Sequence, residues 1–220
     1  MYEADRGVIV ESGRVTEWQD LTGGGKHLVQ ASAANRPAYA ADDGDGAPAI
    51  GFTAAAQEYL SFAGTLADPN QDFTVISVIN HASLNDSVWG QTNSATPNAN
   101  WWSWRHQNMG SEYRLWVSGS FDSELNRYGA TPDAWAVHCF RRSGDIMSAR
   151  INSLPDIEKT TPAGTITTDT FTLGAINNGG GLLNFLQGAW RGLYIWQRHV
   201  HDTELVDVGE VLRNKWPDLP

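Results

Sequence analysis

Phe73-Thr74-Val75-Ile76-Ser77-Val78-Ile79 is an almost unbroken apolar, β-branched run. It is short enough for one strand, and its residue types favour a strand over a buried helix turn. Successive side chains on a strand point to opposite faces. An unbroken run therefore describes a strand covered on both sides. Any fold built on this chain must place one layer above that strand and another below it.

The rest of the chain supplies those layers mostly as further strands. Asp5–Val10 and Val15–Asp20 read as extended, with Glu11-Ser12-Gly13 as the turn between them. Another strand begins at Arg36-Pro37-Ala38-Tyr39, turns at Asp42-Asp43-Gly44-Asp45-Gly46 and returns as Ala49–Phe52. Tyr113, Leu115 and Val117 alternate on one face. Trp135–Arg142 and Ile146–Ile151 read as a hairpin around Ser143-Gly144-Asp145. Phe121–Ala130 reads as a polar loop, and Lys159–Thr170 as an external, threonine-rich connection. The only clear helix is the last element. Leu205, Val208 and Leu212 form one apolar stripe, Asp202 suits the N-cap, and Pro217 stops the helix at or just before Trp216. Nothing repeats at a solenoid period and no linker-like break is visible, so residues 1–220 are expected to form one domain.

Both ends carry recognisable wording. The opening is Trp18-Gln19-Asp20-Leu21-Thr22-Gly23-Gly24-Gly25, followed by Leu28 and Gln30. The close is Leu173-Gly174, then Phe185-Leu186-Gln187-Gly188-Ala189-Trp190-Arg191-Gly192-Leu193-Tyr194-Ile195-Trp196, then Thr203-Glu204-Leu205 and Lys215-Trp216. Together they resemble a laminin-G-like module of the concanavalin A-like lectin/glucanase superfamily. The resemblance implies an all-β, two-sheet antiparallel sandwich of jelly-roll type with a short C-terminal helix. It implies a structural role for Trp18 and Asp20 in fixing the N-terminal loop. One departure stands out. Where such modules carry an acidic segment after the Phe52 strand, this chain has Thr53-Ala54-Ala55-Ala56-Gln57-Glu58-Tyr59-Leu60, and alanines cannot ligate a metal.

Bulk chemistry narrows the partners. The net charge of −10 argues against nucleic acid and against anionic membrane surfaces. No apolar run approaches the ~20 residues that span a bilayer, so membrane insertion is not expected. Met1-Tyr2-Glu3-Ala4-Asp5-Arg6 shows no basic-then-apolar pattern of a signal peptide. With this fold, an extracellular or virion-surface location is the expectation. The single Cys139 alternates with Trp135 and Val137, so it reads as a buried thiol.

Catalytic signatures are missing. Laminarinase-type members of the superfamily place three carboxylates on one strand, and no such run occurs here. Glu204-Leu205-Val206-Asp207-Val208-Gly209-Glu210 has helical spacing, and Asp122 and Glu124 sit in a loop. His199 and His201 have zinc-compatible spacing but no third ligand nearby. Asp42, Asp43 and Asp45 are an oxygen-rich candidate for calcium, although Asp and Gly are also simply the favoured turn residues. No other cofactor is expected, and the chain is not expected to be an enzyme.

Binding chemistry is what remains. Ten tryptophans is a high number for 220 residues, and three of them cluster in a polar stretch. There, Asn98, Asn100, Trp101, Trp102, Trp104 and Arg105 offer aromatic faces, amides and a guanidinium together, the mixture that holds sugars. Arg127 with Tyr128, and Asn177 with Asn178, are expected in other loops that share the rim. The reading is a non-catalytic, lectin-like module for a glycan or surface polysaccharide, as the receptor-binding or adhesion part of a phage, virion or secreted protein. Its alternative is a virion decoration or fibre domain whose tryptophans contact a virion or cell-surface protein. A degenerate glycoside hydrolase is the third reading. The lectin reading expects Trp102→Ala or Trp104→Ala to spare the fold and weaken binding.

Overall fold

The computed structural model describes residues 1–81, 87–96, 101–107, 112–117, 125–128, 133–160, 166–177 and 181–220, with backbone alone at 101, 105–107, 112–117 and 125–128. Phe73–His81 is the central strand of one layer. It pairs antiparallel with Gly188–Trp196, where Val75 faces Ile195 and Ser77 faces Leu193. On its other side it pairs with Trp135–Ser143, where Val75 faces Phe140. Ile146–Ile151 and Ile157–Thr160 extend this layer, and Ala49–Phe52 and Tyr2–Glu3 flank Gly188–Trp196.

The second layer is built on Ser87–Thr92. That strand pairs with Thr170–Leu173 on one side and Trp101–Gln107 on the other. Leu60–Phe62 continues it past Thr170–Leu173, and Glu112–Val117 and Leu125–Tyr128 continue it past Trp101–Gln107. Short N-terminal strands join the layers along one edge. Arg14–Trp18 reaches the first layer through Ala38–Ala40, and the second through Leu28–Val29. The result is the all-β antiparallel sandwich expected from the sequence, with one C-terminal helix.

The apolar run owes its continuity to that helix. Phe73, Val75 and Ile79 point between the layers and pack with Trp89, Trp102, Phe171 and Leu193. Ile76 and Val78 point outward, where Leu205, Leu212 and Trp216 cover them. Each such side chain contributes about 1.5–3 kcal/mol when removed from water. The helix spans Asp202–Lys215 and is fastened to the sheet by a buried hydroxyl. Thr74 Oγ1 donates to the Arg198 carbonyl at 3.0 Å and accepts from Val200 N–H at 2.9 Å. Among the described residues no helix is long and apolar enough to cross a membrane.

Several expectations shift in detail. The N-cap is His201, whose N–H donates to the Glu204 carboxylate at 3.3 Å. Asp202 is the first helical residue, and its carboxylate is held by Arg141 and Arg150 at 2.8 and 3.2 Å. Leu125–Tyr128 is a strand inside the segment expected to be a loop, because edge pairing to Glu112–Val117 orders a polar sequence. Ile157–Thr160 likewise adds a strand at the start of the threonine-rich connection. Alternation along the strands marks Phe73, Val75, Ile79, Leu115, Val137, Leu193 and Ile195 for the core; Phe73, Val75, Ile79 and Leu193 are buried between the layers, Ile195 is partly buried against them, and Val137 is partly buried on the other face, beneath the helix. Leu115 lies outside the described side chains.

Candidate functional site

At one end of the sandwich, the chain entering Phe73–His81 meets the chain entering Thr170–Leu173 and the chain leaving Gly188–Trp196. Asp68-Pro69-Asn70-Gln71 turns there on its own side chains. The Asp68 carboxylate accepts from Asn70 N–H at 2.9 Å, Asn70 Nδ2 at 3.1 Å and Gln71 Nε2 at 2.8 Å. The Asn70 amide then bridges to the neighbouring segment like a peptide group. It donates to the Ile166 carbonyl at 2.7 Å and accepts from Ile166 N–H at 3.0 Å. Gln91, fully buried, accepts from Leu66 N–H at 2.7 Å and donates to the Ala67 carbonyl at 2.6 Å. Gln197 accepts from Asp68 N–H at 2.7 Å. Thr65 Oγ1 donates to the Thr168 carbonyl.

These bonds hold open a groove of about 410 Å³ lined by Lys26, Thr65, Asp68, Asn70, Thr167 and Gln197, among others. A second hollow of about 180 Å³, bordered by Tyr2, Asp20, Thr22 and Gly24, shares Lys26, Leu66 and Gln197 with the first. Lys26 therefore stands where the two meet. Its ammonium donates to the Thr65 carbonyl at 3.1 Å and has no ion-pair partner among the described residues. The loop leaving Ser87–Thr92 is tied to the same wall. Asn93 Nδ2 donates to Thr167 Oγ1 at 3.2 Å, and Ser94 donates to Asp169 from its N–H at 2.8 Å and its hydroxyl at 2.6 Å. The Ser94 hydroxyl, above all, holds the Asp169 carboxyl below its ordinary value.

Among the described residues, those singled out from the sequence do not meet at one point. Trp102 and Trp104 are buried in the core, at 0% and 1% exposure. Trp102 lies 4.9 Å from Phe73 and 4.7 Å from Trp89, centroid to centroid, and Trp104 stacks on Phe140 at 5.8 Å. Strand alternation puts both rings on one face, and that face is the inside, so neither ring is a surface platform. Trp101 pairs with Thr92 at the groove end of its strand, whereas Arg127 and Tyr128 pair with Tyr113 and Glu112 at the far end. Those two residues lie in a strand, not a loop. The side chains of Trp101, Arg105, Arg127 and Tyr128, and the whole of Asn98, Asn100 and Asn178, lie outside the described residues. Asn177 is half-buried and pairs with Leu182 in a small hairpin. Its neighbour Ile176 packs over Gly90, where an added Cβ would meet Ile176 Cγ1 at 3.1 Å.

The aspartate turn serves a different cation. Asp43 accepts from Arg191 Nε at 3.0 Å and Nη2 at 2.8 Å, and Asp45 lies 3.8 Å from the same guanidinium. Asp42 instead accepts from the N–H groups of Gly44 and Gly46, at 2.8 and 3.0 Å. Among the described residues no three His, Cys, Asp or Glu side chains form a metal-ligand group. Asp43 and Asp45 thus face a guanidinium, whereas Asp42 closes the turn on its own backbone. His199 and His201 contact edge to face at 5.1 Å, with burial first and Arg141 second lowering the His199 pKa.

Sequence reasoning missed Lys26, Asn70, Thr167 and Gln197. They stand far apart in the chain and meet only through the topology. The Asp68-Pro69-Asn70 turn was the one local signal, since Asp and Asn cap turns with their own side chains.

No family model matches the chain, and no curated protein matches it. Solved structures do. The NanB sialidase from Streptococcus pneumoniae, in complex with 2-[(3-chlorobenzyl)ammonio]ethanesulfonate, is 17% identical with a TM-score of 0.56 over 62% of this chain. The chain spans 24% of that sialidase's length. The Ruminococcus gnavus IT-sialidase CBM40 bound to alpha2,3 sialyllactose is 14% identical, with a TM-score of 0.54, covering 63% of this chain and 82% of that module. The native heptameric SAP-like pentraxin from Limulus polyphemus is 17% identical, with a TM-score of 0.54 and coverage of 69% and 75%. The likeness is one of fold, and the fold is the concanavalin A-like jelly roll.

Proposed function

We propose that this chain is a non-catalytic carbohydrate-binding module, and that the groove around Lys26, Asn70, Thr167 and Gln197 is where the glycan sits. The observation that carries this reading is the groove's lining of amides and hydroxyls, locked in place by the bonds of Asp68, Gln91 and Gln197. Pre-set polar groups of that kind read sugar hydroxyls without a reorganisation cost. Support comes from the shared fold with a module whose structure holds sialyllactose. Lys26 adds a counter-ion for sugars bearing a carboxylate.

Most glycoside hydrolases, sialidases with their tyrosine nucleophile apart, use two carboxyl groups facing one another across the substrate. Asp68, which lines the groove, accepts from Asn70 and Gln71, Asp169 next to it from Ser94 and Thr170, and Asp20 in the adjoining hollow from Thr22. Binding without turnover, and without calcium, is the reading that follows. In its parent assembly such a module would serve as a receptor-binding or adhesion part of a virion or secreted protein, at an extracellular surface. The test is a glycan array run with neutral, sialylated and uronate-containing glycans, with calcium and again with chelator. Chelator-insensitive hits favouring carboxylated sugars are expected. A blank array overturns the reading and moves attention to a protein partner.

A further inference from the structure

A further cavity, of about 260 Å³, lies on the opposite face of the central strand, between the sheet and the C-terminal helix. Its floor is Ile76, Val137 and Cys139 from the sheet, and its roof is Leu205, Val208 and Leu212 from the helix. Burial pushes the Cys139 thiol up to about 12, so the floor is neutral as well as apolar. The cavity opens to solvent at its mouth, where Val206 and Arg213 are exposed, and Asn152 and Ser153 complete its rim.

Gly209 marks the cavity as built. It sits inside the Asp202–Lys215 helix, where glycine is the poorest residue after proline. Close helix-to-sheet packing does not require it. The nearest atoms an added Cβ would meet are those of the Arg213 guanidinium, at 3.5 Å, which is ordinary contact. The glycine therefore leaves space open along the cavity wall. Charge marks the mouth. Arg150 is saturated by Asp156 and Asp202. Arg213 also lines the cavity, and among the described residues it has no ion-pair partner.

We propose that this cavity binds a small amphipathic anion of the fatty-carboxylate class, its tail between helix and sheet and its carboxylate on Arg213. The volume is near the lower end of ligand pockets, about 300–1000 Å³, which favours a medium-length chain. The net charge of −10 argues for a free carboxylate over an acyl chain in an anionic membrane. The proposal is independent of the glycan groove.

The experiment is calorimetry of decanoate against the full chain, with decanol and decyltrimethylammonium as head-group controls. One saturable decanoate site is expected, with decanol weaker and decyltrimethylammonium silent. Arg213→Gln should weaken decanoate about tenfold and leave decanol unchanged. Gly209→Leu should abolish binding, with Gly209→Ala as the control for helix integrity. In the unmodified chain, isotope-edited NOEs should join the decanoate methylenes to the Leu205 and Leu212 methyls, so the site is placed even if Gly209→Leu does not fold. No saturable decanoate binding, equal affinity for the ammonium analogue, or saturable binding without those NOEs would each overturn the proposal.

Discussion

The indole Nε1 of Trp104 donates to Nδ1 of His138 at 3.0 Å, a buried hydrogen bond that joins the two layers of the sandwich. Trp104 comes from the Trp101–Gln107 strand and His138 from Trp135–Ser143, the same strand whose Phe140 stacks on the indole. The tryptophans that look like a sugar platform in the sequence are the clamp between the sheets. Trp102→Ala and Trp104→Ala should each lose about 3–5 kcal/mol of stability, measured by urea denaturation. Trp104→Phe, which keeps most of the volume and drops the hydrogen bond, should lose about 1 kcal/mol. Alanine variants within roughly 0.5 kcal/mol of the parent, the range of surface changes, would return both rings to the surface.

Arg191 is a buried guanidinium at 0% exposure with three sets of contacts. It bonds Asp43 at 2.8 Å and Asp218 at 2.6 Å, and lies over the Trp135 ring at 4.1 Å. It thereby fixes the Asp42–Asp45 turn and the segment after the helix to one point on the sheet. Removing one partner of a buried pair leaves the other charge uncompensated, at a cost of about 3–5 kcal/mol. Arg191→Ala should show that loss in the denaturation midpoint. Because Asp43 already faces a cation, adding calcium to the parent should leave its thermal midpoint unchanged, and a rise would place the ion in this turn.

What the residues disclose in advance depends on how locally each feature is made. Phe73–Ile79 announces itself because both of its faces are buried, and the helix because Leu205, Val208 and Leu212 repeat at its period. Leu28–Val29 and Leu125–Tyr128 stay hidden, since strands this short are ordered by their neighbours' register rather than by their own composition. Trp102 and Trp104 were legible as sharing a face, but alternation does not say which face is the inside. Of the groove, only the Asp68-Pro69-Asn70 turn was legible. Lys26, Asn70, Thr167 and Gln197 become neighbours only when four chain segments reach the same end of the sandwich.

Asp20 supplies a pH signature. Burial alone would raise its carboxyl, but the hydroxyl and N–H of Thr22, at 2.7 and 3.0 Å, together with the Met1 ammonium at 3.3 Å, outweigh that and hold it at about 2. An unfolded aspartate titrates near ~3.9, so the unfolded chain takes up the proton first as the pH falls. This contribution is complete above about pH 4 and is lost as the pH falls through about 2. Asp20→Asn should therefore cost roughly 1–2 kcal/mol at neutral pH. Denaturation curves of parent and variant should converge between about pH 4 and pH 2. A gap that stayed constant across that range would mean that shape, and not charge, is what Asp20 contributes.

Gly188 opens the long last strand against the end of Phe73–His81. A Cβ there would lie 2.3 Å from the Asn80 carbonyl oxygen and 2.9 Å from His81 Cα. Both are backbone atoms of the central strand and cannot swing aside as a flexible side chain would. Gly188→Ala should lose about 3 kcal/mol, the upper part of the overpacking range. Gly51→Ala, in the neighbouring strand with nothing within 4 Å of the added Cβ, is the matched control. Similar losses in the two variants would point to strand propensity in place of the backbone approach.

Lys26 is the test of what the groove prefers. Its ammonium has a carbonyl partner and no carboxylate among the described residues, so a sugar carboxylate would supply the missing counter-charge. A charge-assisted hydrogen bond of this kind contributes about 1.5–3 kcal/mol, or about tenfold or more in affinity. Lys26→Met keeps the apolar stem and should reduce affinity for a carboxylated glycan by that factor, with no change in the denaturation midpoint. The parent's affinity should fall as salt rises from low to physiological strength, while that of the variant stays flat, because an exposed ion pair is screened. Equal salt dependence in parent and variant would remove Lys26 from the contact and leave the amides of Asn70 and Gln197 as the groups that read the sugar.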